Sequence, residues 1–87
     1  MAEYRIVVFR EYENGDKVPT LAAAVFSDRE EAVQHRRFYT ELLAGCDPVG
    51  RKAAGYTSIV LCQAKAHKLI RDFMEDNDKW AKVSSVV

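Results

Sequence analysis

Lys65, Lys68 and Arg71 recur three residues apart in a segment whose second half holds Asp72, Glu75 and Asp76. Cations at that spacing share one side of a helix, where they can meet phosphates or the carboxylates of a protein surface. Their order opposes the helix dipole, which favours acids at the start and bases at the end by about 0.3–1 kcal/mol per terminal charge. Helix stability therefore does not account for them, and the row reads as surface for a partner. Arg51 and Lys52 extend the row if the preceding loop folds back beside this helix. Arg36-Arg37, followed by Phe38-Tyr39, form a second basic group, and Arg and Tyr are common anchors at protein interfaces. Lys68–Asp72 and Arg71–Glu75 stand at i,i+4 in the weaker base-first orientation, worth roughly 0.2–0.5 kcal/mol each. They give the face mixed sign, which suits a protein's complementary charges better than a phosphate backbone.

Other residues invite catalytic readings and support them less. Gly45-Cys46-Asp47-Pro48-Val49-Gly50-Arg51-Lys52 comes within a residue of a phosphate-binding loop. That motif needs Gly-Lys-Ser/Thr between a strand and a helix. Here Arg51 intervenes, no hydroxyl follows, and the segment leaves a helix to enter a strand, so it reads as a turn. His35 falls toward the apolar side of a helix, near Phe38, Tyr39 and Leu42. There it is expected as a core-edge histidine bonded to backbone rather than an acid–base group. His67 sits beside the bases of the second helix, and two histidines without a nearby Cys or carboxylate at ligand spacing make no metal motif. Cys46, Ser58 and Cys62 are nucleophiles without a base and orienting group in any local signature. The acids from Asp72 to Asp78 lack the glycine turn and ligand register of a calcium loop. The expectation is a non-enzymatic protein with no cofactor and no metal.

Composition narrows the classes further. Thirteen bases balance thirteen acids, for a formal net charge of zero and a pI near 6.7, whereas a dedicated nucleic-acid binder is usually basic. Hydrophobic residues at 48% and charged residues at 30% exclude a disordered chain. Eighty-seven residues make one domain with a modest core. Met1-Ala2-Glu3 opens straight into a strand-like run, with no leader and no apolar segment long enough for a membrane, so a cytoplasmic location is expected. Cys46 and Cys62 then read as two free thiols.

These residues need elements to hold them. Tyr4 to Tyr12 (Y-R-I-V-V-F-R-E-Y) is β-branched and aromatic, and Ile6-Val7-Val8-Phe9 is apolar on both faces, as in a strand inside a sheet. Asn14-Gly15 predicts a two-residue type I′ hairpin that sets Glu13 opposite Asp16, Glu11 opposite Val18, Val7 opposite Ala22 and Tyr4 opposite Val25. The second strand spans Val18 to Phe26, with Pro19 demanding a sheet edge. Ala22-Ala23-Ala24 is poor strand material that lets a helix approach closely. Ser27-x-x-Glu30 predicts a capping box, and the helix it opens runs to Ala44 with a left-handed cap at Gly45. Its apolar face is read as Ala32, Tyr39, Leu42 and Leu43, with Phe38 at the margin. Tyr56 to Gln63 reads as a central strand because Ile59-Val60-Leu61-Cys62 is apolar throughout. The second helix spans Ala64 to Asn77 with Ala66, Leu69, Ile70, Phe73 and Met74 on one face at helical spacing, and Lys79 to Val87 closes as a strand.

The order β-β-α-β-α-β suggests an α+β two-layer sandwich, a mixed three- to four-stranded sheet with both helices on one face. The function expected is a protein-binding module working through charged helix faces and an exposed strand edge. Analogy from size and from the lack of catalytic motifs, and not any residue, suggests an inhibitor that blocks a larger complex, as phage-encoded anti-defence proteins do. A nucleic-acid-binding or nucleic-acid-mimicking accessory protein comes second and a small enzyme third. Pairing of strand edges across a two-fold axis would make a homodimer.

Overall fold

Ile6, Val7 and Val8 are fully buried, and the chain is arranged around the strand that carries them. A computed structural model describes residues 2–46 and 52–76, with Asp76 in its backbone only. Its elements are β1 (Tyr4–Glu11), β2 (Lys17–Leu21), α1 (Arg29–Ala44), β3 (Gly55–Cys62) and α2 (Gln63–Asp76). The expected closing strand, Lys79 to Val87, lies outside the described residues. The sheet order is β2-β1-β3, with β1 antiparallel to both neighbours. The fold is thus α+β, but the described sheet is not mixed.

The two helices do not share a face. Side chains alternate along a strand, so Ile6, Val8 and Arg10 point one way and Arg5, Val7 and Phe9 the other. Ile6 and Val8 cluster with Ala22, Phe26 and Ala32, and with the half-buried Tyr39 and Leu43 of α1. Arg5, on the opposite face, reaches α2: its Nη1 donates to Gln63 Oε1 at 3.4 Å and lies 3.4 Å from His67 Nε2. Leu21, level with Val7, lines one groove with Ile70 and Met74, and Leu61, level with Arg5, lines another with Leu69. The architecture is therefore helix, sheet, helix, correcting the expected two-layer sandwich. A strand apolar on both faces needs a cover on each, and one layer of helices leaves Val7 in water.

The hairpin differs from expectation by one residue. Tyr12 N–H donates to the Asp16 carbonyl at 2.9 Å, and Gly15 N–H donates to the Tyr12 carbonyl at 2.9 Å. The loop is three residues long, a turn closed by Gly15 at φ 91°, while Asn14 keeps a negative φ. This is the type I turn with a glycine bulge rather than the type I′ turn. Asn14 Oδ1 instead accepts the Asp16 N–H at 3.0 Å, an Asx turn that holds the negative-φ form. Val7 thus faces Leu21, and Glu11 faces Lys17. A one-residue shift exchanges the faces of a strand. It sends Leu21 toward α2 and sets small Ala22 level with Ile6, where the core packs it with Ala32 of α1. β2 ends at Leu21, short of Phe26. Ala23, Ala24 and Val25 bulge out against Arg5, whose Nη2 donates to the Ala22 carbonyl at 2.9 Å, before Tyr4 and Phe26 pair.

α1 is capped by Asp28 rather than Ser27, its Oδ1 accepting the Glu30 N–H at 3.1 Å. Gly45 is right-handed at φ −78°, so no left-handed cap forms. The last turn of α1 carries no base, and β1 supplies one: Arg10 Nη2 donates to the Leu43 and Cys46 carbonyls at 3.3 and 3.4 Å. Its Nη1 donates to Thr20 Oγ1 at 2.6 Å. Arg10 is the one buried charge among the described residues, a cation at the negative end of a helix. On α1, Leu42 is exposed, contrary to the expected apolar face, and Phe38, expected at the margin of that face, is exposed as well.

Two stability effects follow. Arg10→Leu leaves helix carbonyls unsatisfied beneath the sheet and is expected to lower the unfolding free energy in urea by about 1.5–3 kcal/mol. Gly15→Ala meets no atom within 4 Å, so its cost is purely the positive φ, about 1–2 kcal/mol.

Candidate functional site

The three bases of α2 are exposed, as their spacing predicts, but they straddle the outer ridge of the helix. Lys65 and Lys68 lie on the β3 side, beside Leu61, Leu69 and Asp72. Arg71 lies on the β2 side, beside Leu21, Ile70 and Met74. Lys68 Nζ pairs with Asp72 Oδ2 at 2.6 Å. Arg71 makes no ion pair among the described residues, so only one of the two expected i,i+4 pairs forms. The dipole reading holds: the first turn of α2 contains no acid and its last turn no base. β3 passes into α2 without a loop, and Gln63 N–H donates to the Glu3 carbonyl at 2.8 Å, which ties the start of the helix to β1.

Arg51 lies outside the described residues. Lys52 is exposed and precedes β3, whereas Gln63 follows it. Eight residues of strand, roughly 26 Å at 3.3 Å each, separate Lys52 from the start of α2, so the loop does not extend the α2 row there. Arg36 and Arg37 are exposed on α1 and line a groove with Thr40, Tyr56, Thr57 and Ser58. The Thr40 and Ser58 hydroxyls hydrogen-bond at 2.8 Å and fasten α1 to β3 there. Arg37 Nε pairs with Glu41 Oε1 at 3.3 Å, both side chains largely in solvent.

The histidines occupy surface positions. His35 is exposed, with Nδ1 2.8 Å from the Glu31 carbonyl and its ring 5.4 Å from that of Phe26, the backbone-bonded role expected of it. Cys46 is exposed and Cys62 half-buried, and both are free thiols. Among the described residues no group of three His, Cys, Asp or Glu side chains converges as a metal site. Nor is any described helix long and apolar enough to cross a membrane.

What the sequence reading missed is the place of β3. Among the described residues it has β1 on one side and no strand on the other. Gln63 bonds toward β1, and bonding alternates along an antiparallel pair. The backbone groups of Thr57, Ile59 and Leu61 therefore face β1, and those of Ser58, Val60 and Cys62 face outward. The strand has eight residues and contains no charge and no proline. The other edge, β2, is short, carries Pro19, and holds Lys17 in a 3.3 Å pair with Glu11. These are the usual guards against edge pairing, and β3 has none of them. Arg36 and Arg37 stand on one face of this open edge, Lys65 and Lys68 on the other.

In comparisons with known proteins, no family model, no curated protein and no solved structure matches the chain.

Lys65 in the first turn of α2 opposes the helix dipole with no ion pair in return among the described residues. Lys65→Glu is expected to stabilise the protein by about 0.3–1 kcal/mol in low-salt urea titrations, with the gain fading as salt rises.

Proposed function

We propose that this chain is a small protein-binding module, acting by occupancy rather than catalysis, with its contact surface built around β3. The observation that carries the reading is the edge of β3, open among the described residues and flanked by cations from two helices. Exposed edges of this length are normally blunted, and the same chain blunts its other edge with Pro19 and Lys17. Selection against aggregation would remove an open edge that had no use. The bases add a second argument, because Lys65 stands in the first turn of α2, where a cation costs helix stability. Exposed ion pairs such as Arg37–Glu41 and Lys68–Asp72 contribute little, so their bases are readily re-paired by a partner's carboxylates. Cations divided between two faces of a sheet edge, with acids among them, suit a protein more than a continuous phosphate backbone. A module of this size that covers a partner's surface acts as an inhibitor of the complex that surface would otherwise build.

Affinity capture from the native host with the wild-type chain, the double variant Arg36→Glu/Arg37→Glu and the triple variant Lys65→Glu/Lys68→Glu/Arg71→Glu tests the reading. All substitutions lie on exposed side chains, so folding measured by circular dichroism should be unchanged. A partner retained by the wild type and lost from both variants is the expected result. Equal capture by all three chains would overturn it.

A further inference from the structure

Resting on that reading, we infer that the partner contributes an extended acidic segment that adds to the sheet as a strand along β3. The outward backbone groups of Ser58, Val60 and Cys62 supply the ladder, as in other cases of strand addition. A strand laid there sends alternate side chains to the two faces of the sheet. On one face they meet the groove of Arg36, Arg37, Thr40, Glu41 and Ser58, two bases to one acid. On the other they meet Lys65, Lys68 and Asp72, again two bases to one acid, beside apolar Leu61 and Leu69. Each face offers one base with no ion pair among the described residues, Arg36 above and Lys65 below. The segment that fits is extended and carries carboxylates on both sides, with β-branched residues available to pack on Ile59 and Leu61.

The same charges disfavour a second copy of this chain at the edge. Pairing β3 with its own copy across a two-fold axis gathers the α1 bases of both copies over one face of the seam and the α2 bases of both over the other. Like charges placed opposite each other across a strand pair are destabilising. An acidic strand from another protein removes that repulsion, pairs Arg36 and Lys65, and competes with Glu41 and Asp72 for Arg37 and Lys68. Segment 79–87 lies outside the described residues; were it to hold this edge, the amides of Ser58, Val60 and Cys62 would already be protected in the free chain, and that result would overturn the inference.

A labelled peptide of about ten residues that alternates Glu with Val and Thr is the probe, with a Lys-for-Glu peptide as control. The intact chain should bind the acidic peptide and not the basic one, and binding should weaken as salt rises. Amide hydrogen exchange at Ser58, Val60 and Cys62 should slow by about tenfold or more on binding, while exchange along β2 stays as it was. Arg36→Glu/Lys65→Glu should weaken binding by at least ~10-fold. Ser58→Pro removes one outward donor and should do the same; the exchange measurement on the wild-type chain decides if that variant fails to fold. No binding of the acidic peptide, equal binding of the basic one, or protection elsewhere than β3 would overturn the inference. If Ser58→Pro folds and still captures the partner protein, binding by the helix faces survives and the added strand does not.

Discussion

Ile6 and Val8 press into one helix layer and Val7 into the other, and burying all three is possible only if β1 is central and covered twice. At roughly 25 cal/mol per Å² of apolar surface removed from water, these side chains are a large share of what so small a chain can gain. The remaining arrangement follows from that constraint. β2 and β3 flank β1, α1 covers the Ile6 and Val8 face, and α2 covers the Val7 face. Arg5 and Arg10, on the same strand, fasten the two helices. Arg10 takes the C-terminal carbonyls of α1, and Arg5 reaches Gln63 and His67 of α2.

Covering both faces has a consequence for the edge. β3 is half-buried along most of its length because α1 and α2 shelter it from above and below. Its lateral side is left open among the described residues. Shelter on the faces makes a strand apolar, whereas only a neighbour makes it internal. The same helices carry cations to the rim of the sheet, so one arrangement produces the apolar core, the open ladder and the charges beside it.

The basic residues were legible as a group and not as a place. Their exposure and the reversed dipole of α2 follow from helical spacing, and both hold. That Lys65 and Lys68 stand on one face of β3 and Arg36 and Arg37 on the other depends on the helices lying on opposite sides of the sheet. Lys52 shows the limit well: as part of a loop it was free in principle to fold back, but β3 carries the chain away from it before α2 begins. The apolar run Ile59-Val60-Leu61-Cys62 was read as central because periodicity reports burial of faces and is silent about lateral neighbours.

Local chemistry determined the strand at Tyr4–Glu11, the chain reversal at Asn14-Gly15, the helix that begins after Ser27 and Asp28, and a second helix with its charges against the dipole. Each rests on interactions within a few residues: branched side chains, a positive φ at glycine, a cap, a periodic apolar stripe. Tertiary structure decided the register of the hairpin, the face each helix takes and which strand is left at the edge. Those choices turn on long-range burial. Leu21 rather than Ala22 must stand beside Val7 under α2, and Arg10 must meet carbonyls more than thirty residues further along the chain. No window of sequence contains both partners of such contacts, and so none could report them.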